Sequence, residues 1–440
     1  MSTTAPAPAS PLRRVVAASL IGTSLEWYDF FIYGTAAALV FNRLFFPSFD
    51  PLVGTLLAFT TYAVGFIARP LGGIVFGHYG DRLGRKNVLV VTLLLMGIAT
   101  FLIGLLPTYD TIGVWAPVLL VTLRFLQGLG LGGEWGGAVL MTLESGDPSR
   151  RGLNASWPQV GVPLGLLLAN GVLSLMAAVT GEDAFSSWGW RVPFLLSGLL
   201  VVVGLWIRLS LAESPLFRAV EASEDKAGAP IVEVLRRHPR QVLLAVGARV
   251  GVDVAFYTFV LFITTYVTTY LKLPRSYALN AVLVAAAIQV VLIPVFGSLS
   301  DRFRRRPVYL VGAVGAAVWV FAFFALIDTG RFGLIMLAAV VALVFHAAMY
   351  GPQAAFITEM FPTRVRYSGA SMGYQLAGIL GGALAPIISV ALLDRYDTSL
   401  AVSVYVVAML LVTITCVLLA PETSRLDLQG EPADERTLVG

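Results

Sequence analysis

The segment Gly77-His78-Tyr79-Gly80-Asp81-Arg82-Leu83-Gly84-Arg85-Lys86 returns 220 residues later as Gly297-Ser298-Leu299-Ser300-Asp301-Arg302-Phe303-Arg304-Arg305-Arg306. Each copy joins a glycine, an Asp-Arg pair and a basic cluster, and each stands between long apolar runs. The offset is half of the 440-residue chain. It marks a duplicated membrane unit, with any shared site expected where the two copies meet.

Composition agrees. Hydrophobic residues make up 57% of the chain and charged residues 13%, against about 25% charge in a typical soluble domain. Apolar stretches of about 20 residues, long enough to cross about 30 Å of hydrocarbon, recur throughout. They predict twelve helices, over residues 14–41, 52–78, 87–106, 113–141, 153–179, 189–211, 240–269, 276–299, 307–327, 331–355, 366–392 and 399–420. The chain therefore reads as an all-α integral membrane protein with twelve transmembrane helices in two pseudo-symmetric six-helix bundles. Its expected parts are a cytoplasmic N-terminal tail (1–13), a first bundle (14–211), a cytoplasmic linker (212–239), a second bundle (240–420) and a cytoplasmic tail (421–440).

Of the 30 Lys and Arg residues, 21 fall at the termini and in the even-numbered loops. The positive-inside bias then places both termini in the cytoplasm of a multi-pass plasma-membrane protein. The net charge of +4 is on this reading a topology signal and no nucleic-acid surface. The single Cys416 cannot form an intramolecular disulfide. No His, Cys or acidic cluster shows metal-ligand spacing, so no metal site is expected, and the absence of a P-loop argues against an ATP-driven pump; neither a cofactor nor enzymatic activity is expected. Arg13-Arg14 before an apolar run imitates a secretory signal, but the length of that run and its Glu26 and Asp29 predict an uncleaved first helix.

An ionisable group at the bilayer centre costs at least about 2.5 kcal/mol, so each one needs a partner or a wet cavity. Glu26 and Asp29 lie three residues apart near the middle of the first helix, with Tyr33 continuing their face. Arg124 and Arg249 fall at comparable depth on helices four and seven, and Asp253 stands one turn from Arg249. Shifting Asp29 by the repeat offset lands on Arg249, which predicts an acid and a base facing each other across the pseudo-symmetry axis. An arginine fork holds a carboxylate bidentately and keeps its proton, which makes Arg124 and Arg249 candidates for binding an anion. A buried carboxyl can change protonation, which makes Asp29, then Glu26, then Glu134 candidates for a coupled proton. Arg69 precedes Pro70, and the backbone carbonyl freed by that proline is its expected partner.

Tyr33, Gln127, Asp253, Tyr257, Gln159, His346 and Gln353 complete the candidate binding set, as polar groups on helices that face the presumed cavity. The repeated motif has a separate logic. Asp81, Arg82 and Arg85 with Glu144 in the first half, and Asp301, Arg302 and Arg305 with Glu359 in the second, are expected to form ion-paired clusters that latch one end of the bundle.

The two motif copies, together with Arg124-x-x-Gln127-Gly128, resemble the major facilitator superfamily over essentially the whole chain. Within it, Leu25-Glu26-Trp27-Tyr28-Asp29-Phe30-Phe31-Ile32-Tyr33-Gly34, Gly132-Gly133-Glu134-Trp135-Gly136-Gly137, Glu213-Ser214-Pro215 and Glu359-Met360-Phe361-Pro362-Thr363-Arg364 are similar to the metabolite:proton symporters. Gly73 to Lys86, Trp115 to Gly137 and Ser187 to Leu195 look most like the shikimate permeases. The resemblance implies a carrier that rocks two bundles around a midplane site and imports a small organic acid with protons, working in the lipid bilayer as a monomer. A proline/betaine-type osmolyte symporter stays open as an alternative, and a proton-driven exporter as a lesser one. The osmolyte carriers end in a long coiled coil that this short tail does not encode. Arg304 stands where the second motif copy usually has glycine.

Overall fold

The computed structural model describes residues 12–49, 51–83, 85–132, 135–144, 146–210, 230–362 and 365–426. Apolar sequence at helical length gives helices almost throughout. In the first half these are α1 (Val15–Phe45), α2 (Pro51–Leu83), α3 (Arg85–Leu105), α4 in two pieces (Trp115–Leu131 and Trp135–Glu144), α5 (Arg151–Ala184) and α6 (Arg191–Ser210). The second half has α7 (Pro239–Tyr270), α8 (Arg275–Phe303), α9 (Arg305–Ile327), α10 (Phe332–Glu359), α11 (Arg366–Tyr396) and α12 (Ser399–Leu419). Among the described residues, eleven helices are long and apolar enough to cross a membrane, and α3 adds a shorter apolar stretch, Val90–Leu105. The fold is the all-α membrane architecture that the hydropathy predicts. Of the expected linker, residues 230–239 are described, and they hold a short helix, Pro230–Arg237.

Glycine decides how closely the helices approach. In the first half α2 lies on α4 backbone to backbone: a Cβ on Gly132 would strike the carbonyl of Arg69, and one on Gly128 would strike that of Gly65. The same device joins the two halves. A Cβ on Gly297, the glycine that opens the second motif copy, would lie 2.8 Å from the carbonyl of Gly152 on α5. The α5–α8 contact, with α2 and α4 packed on α11, is where the bundles meet, and small residues at such crossings are how helices associate in lipid.

Several helices carry a π turn, in which one extra residue is accommodated by a widened coil. These turns are Ala37–Phe41 in α1, Thr258–Phe262 and Tyr266–Tyr270 in α7, and Gly378–Ala383 in α11. The one in α11 is glycine-rich because it squeezes between its neighbours. A Cβ on Gly381 would lie 2.7 Å from that of Asp253 on α7, and one on Gly382 would lie 2.7 Å from the ring of Phe66 on α2.

Arg304, between α8 and α9, has φ 73° and ψ 161°. It adopts a backbone that favours glycine, the residue that Gly84 supplies at the matching place of the first copy, in a region that costs a side-chain-bearing residue about 1–3 kcal/mol. Arg304→Gly is therefore expected to be net stabilising, by about 1 kcal/mol after the larger unfolded-chain entropy of glycine is subtracted. A rise in the melting temperature of the detergent-purified protein would show it, and an unchanged or lower one would mean that the turn carries no such strain.

Candidate functional site

Near the middle of the bundle, α7 places Arg249 and Asp253 one turn apart, and they pair: Arg249 Nε donates to Asp253 Oδ2 at 2.8 Å. Both are buried. Arg249 Nη1 donates to Gln353 Oε1 at 3.4 Å, and Gln353 Nε2 donates to the Tyr309 hydroxyl at 2.8 Å. The guanidinium carbon lies 3.2 Å from the centroid of Tyr374, and the ring of Tyr374 stacks on Trp135 of α4 at 3.8 Å. Arginine, phenol and indole thus form one stack that crosses between the halves. Beside it is a cavity of about 10 Å3, lined by Trp27, Val162, Arg249, Asp253, Phe256, Tyr257, His346 and Tyr350. That is room for about one water, so the halves are closed around it. His346 Nδ1 bonds Gln289 Nε2 at 2.6 Å and its ring stacks on Tyr350.

The first half holds Arg124 and Asp29 apart from this pair. Arg124 is fully buried, donates through Nη1 to Gln127 Oε1, and lies 4.1, 4.3 and 4.7 Å from the ring centroids of Phe30, Tyr33 and Tyr62. Gln127 Nε2 in turn donates to Thr100 Oγ1 at 2.7 Å and to the backbone carbonyl of Asp29 at 3.2 Å. The Asp29 carboxylate turns toward α6, accepting from the Ser197 hydroxyl at 2.6 Å. The offset pairing of Asp29 with Arg249 is therefore corrected. Equal position along two helices does not fix their rotation, and each residue bonds within its own half. Tyr33 bonds Thr61 at 2.6 Å, Gln159 accepts from Trp135 Nε1 at 3.0 Å, and Tyr257 meets Tyr62 edge to face. Glu26 is buried on α1.

The expected carbonyl partner of Arg69 is replaced by an aromatic cage. Its guanidinium carbon lies 4.2 Å from the centroid of Phe30, 4.5 Å from Phe66 and 5.4 Å from Trp27. Cation–π contacts of this kind substitute in part for hydration. Among the described residues, Nε and Nη2, which form one edge of the fork, have no hydrogen-bond partner on Arg69 or on Arg124.

At the motif end the second-half cluster forms. Arg305 grips Glu359 through Nε and Nη2 at 3.3 and 3.2 Å, and its Nη1 reaches Asp301 Oδ1 at 2.6 Å and Ser300 at 2.9 Å. Asp301 then crosses to the other half, accepting from the N–H groups of Gly152 and Leu153 at 2.7 and 2.9 Å. These are orphan donors of the first turn of α5, where the helix dipole favours an anion. Arg151 adds a second crossing, 3.5 Å from Glu359. Arg302 stands outside this latch, exposed beside Phe303, because it falls on the outer side of the last turn of α8.

The chain after α12 joins in. Glu422 accepts from the N–H groups of Arg305 and Arg306, both at 3.0 Å, Thr423 donates to Glu359 at 2.7 Å, and Arg151 Nη2 donates to the carbonyls of Ser424 and Leu426 at 3.2 and 2.9 Å. Burial opposes the charge of Glu422, but the N–H groups of Arg306, Arg305 and Ser424 outweigh it and hold its carboxyl below the usual glutamate range. Glu134 and the side chains of Asp81, Arg82, Arg85 and Glu144 lie outside the described residues.

A family model described as "Sugar (and other) transporter" matches residues 15–238, and one described as "Major Facilitator Superfamily" matches residues 254–439. The chain belongs to the major facilitator superfamily. It is 42% identical over 420 residues to the shikimate transporter of Escherichia coli (strain K12), covering 94% of this chain and 96% of that one. It is 34% identical over 432 residues to the proline/betaine transporter of the same organism, covering 95% and 85%. Among solved structures, the proton:xylose symporter XylE bound to 6-bromo-6-deoxy-D-glucose superposes with a TM-score of 0.74 at 17% identity, covering 94% of this chain and 96% of that one. That likeness shows the fold alone.

This superfamily member is thus a multi-pass membrane transporter and not an enzyme. Composition and motifs gave no site role to Tyr62, which helps to enclose Arg124, to Trp135, which carries the inter-half stack, or to Arg151, Glu422 and Thr423, which enter the latch. A polar tail with no repeat gave no signal for the last two.

Proposed function

We propose that the protein is a proton-coupled symporter that imports a small organic acid, such as shikimate or a related carboxylate, by alternating access. The observation that carries this reading is the open edge of two buried guanidinium groups. Arg69, Arg124 and Arg249 all lie at the core of the bundle, and among the described residues Nε and Nη2 of Arg69 and of Arg124 meet no hydrogen-bond acceptor. Buried donors left open in this way suit a site that is to receive an anion. The aromatic lining of the cavity, Trp27, Phe256, Tyr257 and Tyr350, would suit a quaternary ammonium group and keeps the osmolyte reading second, and the open arginine edges rank an acid above it. The latch at the motif end is then the inner gate, with both termini on the cytoplasmic side of the plasma membrane and the monomer as the working unit.

The test is uptake of labelled shikimate, oxoglutarate, citrate, protocatechuate and glycine betaine into proteoliposomes, with and without an inward proton gradient. Gradient-dependent accumulation of one acid is the expected result. Accumulation of betaine alone would install the osmolyte reading, and gradient-driven extrusion without uptake would make the protein an exporter.

A further inference from the structure

We propose that Asp253 is the proton-coupling carboxyl and that it works by surrendering the guanidinium of Arg249 to the carboxylate of the substrate. This rests on the symporter reading above and names the group that performs the coupling.

Position comes first. Among the described residues Asp253 is the one acid lining the midplane cavity, and Asp29 and Glu26 do not line it. Asp29 spends its carboxylate on Ser197, on the far side of α1. Geometry comes second. One face of the Arg249 guanidinium is covered by Tyr374, and Nη1 is directed at Gln353. The Nε edge that remains is the one Asp253 occupies at 2.8 Å. An incoming carboxylate gains a bidentate grip on Arg249 only by taking that edge. Two ionised carboxylates crowded onto one edge repel, so the exchange is favourable when Asp253 takes up a proton as it lets go.

The surroundings permit this. From its own helix Asp253 faces Arg249 and Tyr257. From α2 it faces Arg69 and Tyr62, from α9 Tyr309, from α10 Tyr350 with His346 beside it, and from α11 Tyr374. None of these is a second carboxyl that would share the proton. Both of the full charges among them are positive, so protonating Asp253 leaves two arginines facing a cavity that is about to receive an anion.

The balance is simple. A proton from outside binds Asp253 Oδ2 as the Nε–H···Oδ2 bond breaks, and the substrate carboxylate accepts that N–H instead. On the inner side the carboxylate leaves, the proton leaves, and Asp253 returns to Arg249. One proton travels with one carboxylate, so a monoanion moves without net charge.

The experiment compares full-length wild type, Asp253→Asn and Asp29→Asn in proteoliposomes, using shikimate or, if shikimate is not accumulated, the acid of the panel that is. Two quantities are read: the accumulation ratio under an inward proton gradient, and counterflow exchange at equal pH. Asp253→Asn is expected to exchange but to accumulate to a ratio of about 1, with apparent affinity flat in pH. Wild-type affinity should weaken as pH rises, by up to about tenfold per unit once Asp253 is ionised. Asp29→Asn is expected to keep the wild-type accumulation ratio even if its rate falls. Accumulation by Asp253→Asn would overturn the proposal. If Asp253→Asn is inactive in both assays, Asp29→Asn decides. Full accumulation there supports Asp253, and loss of accumulation with exchange intact overturns it. A wild type that accumulates none of the acids would sink the symporter reading itself, which is a different failure.

Discussion

Replacing Arg305 with alanine is expected to unlatch the motif end and to abolish accumulation while leaving the protein folded. Arg305 is almost fully buried and supplies the fork that holds Glu359 and the Nη1 that holds Asp301. Without it, two carboxylates lose their main countercharge in a closed site, a change that costs about 3–5 kcal/mol when one partner of a buried pair is removed. Glu359 keeps only the longer contact to Arg151 and the Thr423 hydroxyl. Parting the halves would hydrate both acids, so the penalty falls on the latched state and the population moves toward the open one. At about 1.4 kcal/mol per factor of ten, the shift exceeds a hundredfold if the latch alone feels it. Ser156 is buried against Gly297 in the α5–α8 seam, and Ser156→Cys in a Cys416→Ser background reports on its opening. Maleimide labelling should accelerate at least about tenfold in Arg305→Ala, given that shift. Arg302→Ala should leave the rate as it is. Equal labelling with and without Arg305 would mean that the latch does not hold this end shut.

Gly128→Ala is expected to be the most damaging of the small substitutions. Its Cβ would run into the carbonyl of Gly65, with the Cα and carbonyl carbon of that residue 2.8 Å away. These are backbone atoms, and no rotamer relieves the clash. α2 would have to move off α4, and the position of Arg124 would go with it, because Gly65 in turn accommodates the Arg124 fork: a Cβ there would lie 2.6 Å from Nε. Overpacking of this kind costs about 1–3 kcal/mol or more. The readout is yield and melting temperature of monodisperse protein. Gly171→Ala, where a Cβ meets nothing within 4 Å, is the comparison, and it should be tolerated or slightly stabilising. If the two variants behave alike, the α2–α4 spacing is not set by glycine.

Much of this was legible in the sequence, for reasons that separate cleanly. The helices follow from the length of apolar runs, which the bilayer makes a sufficient signal. The second-half latch follows from charge order, because Asp301 and Arg305 flank the short turn between α8 and α9 and meet wherever those helices join. The residue partners inside the bundle are another matter. Asp29 and Arg249 share a repeat position, but pairing also depends on how far each helix is rotated, and hydropathy does not report rotation in a helix that is buried all round, as α7 is. Arg69 finds aromatic faces in place of a carbonyl because Phe30, Phe66 and Trp27 converge from two helices, a coincidence visible only in three dimensions. Glu422 and Thr423 lie in a stretch whose composition resembles any polar tail, and nothing local tells a strap from a loose end.

The π turns have a consequence of their own. That in α1 spans Ala37–Phe41 and the first in α7 spans Thr258–Phe262, within one residue of the offset that relates the two motif copies. An extra residue in a coil is a fault line, easier to bend than the regular turns on either side. Ancestry therefore handed both copies a joint at the same height, and under the alternating access proposed above the two halves have matching knees on which to tilt.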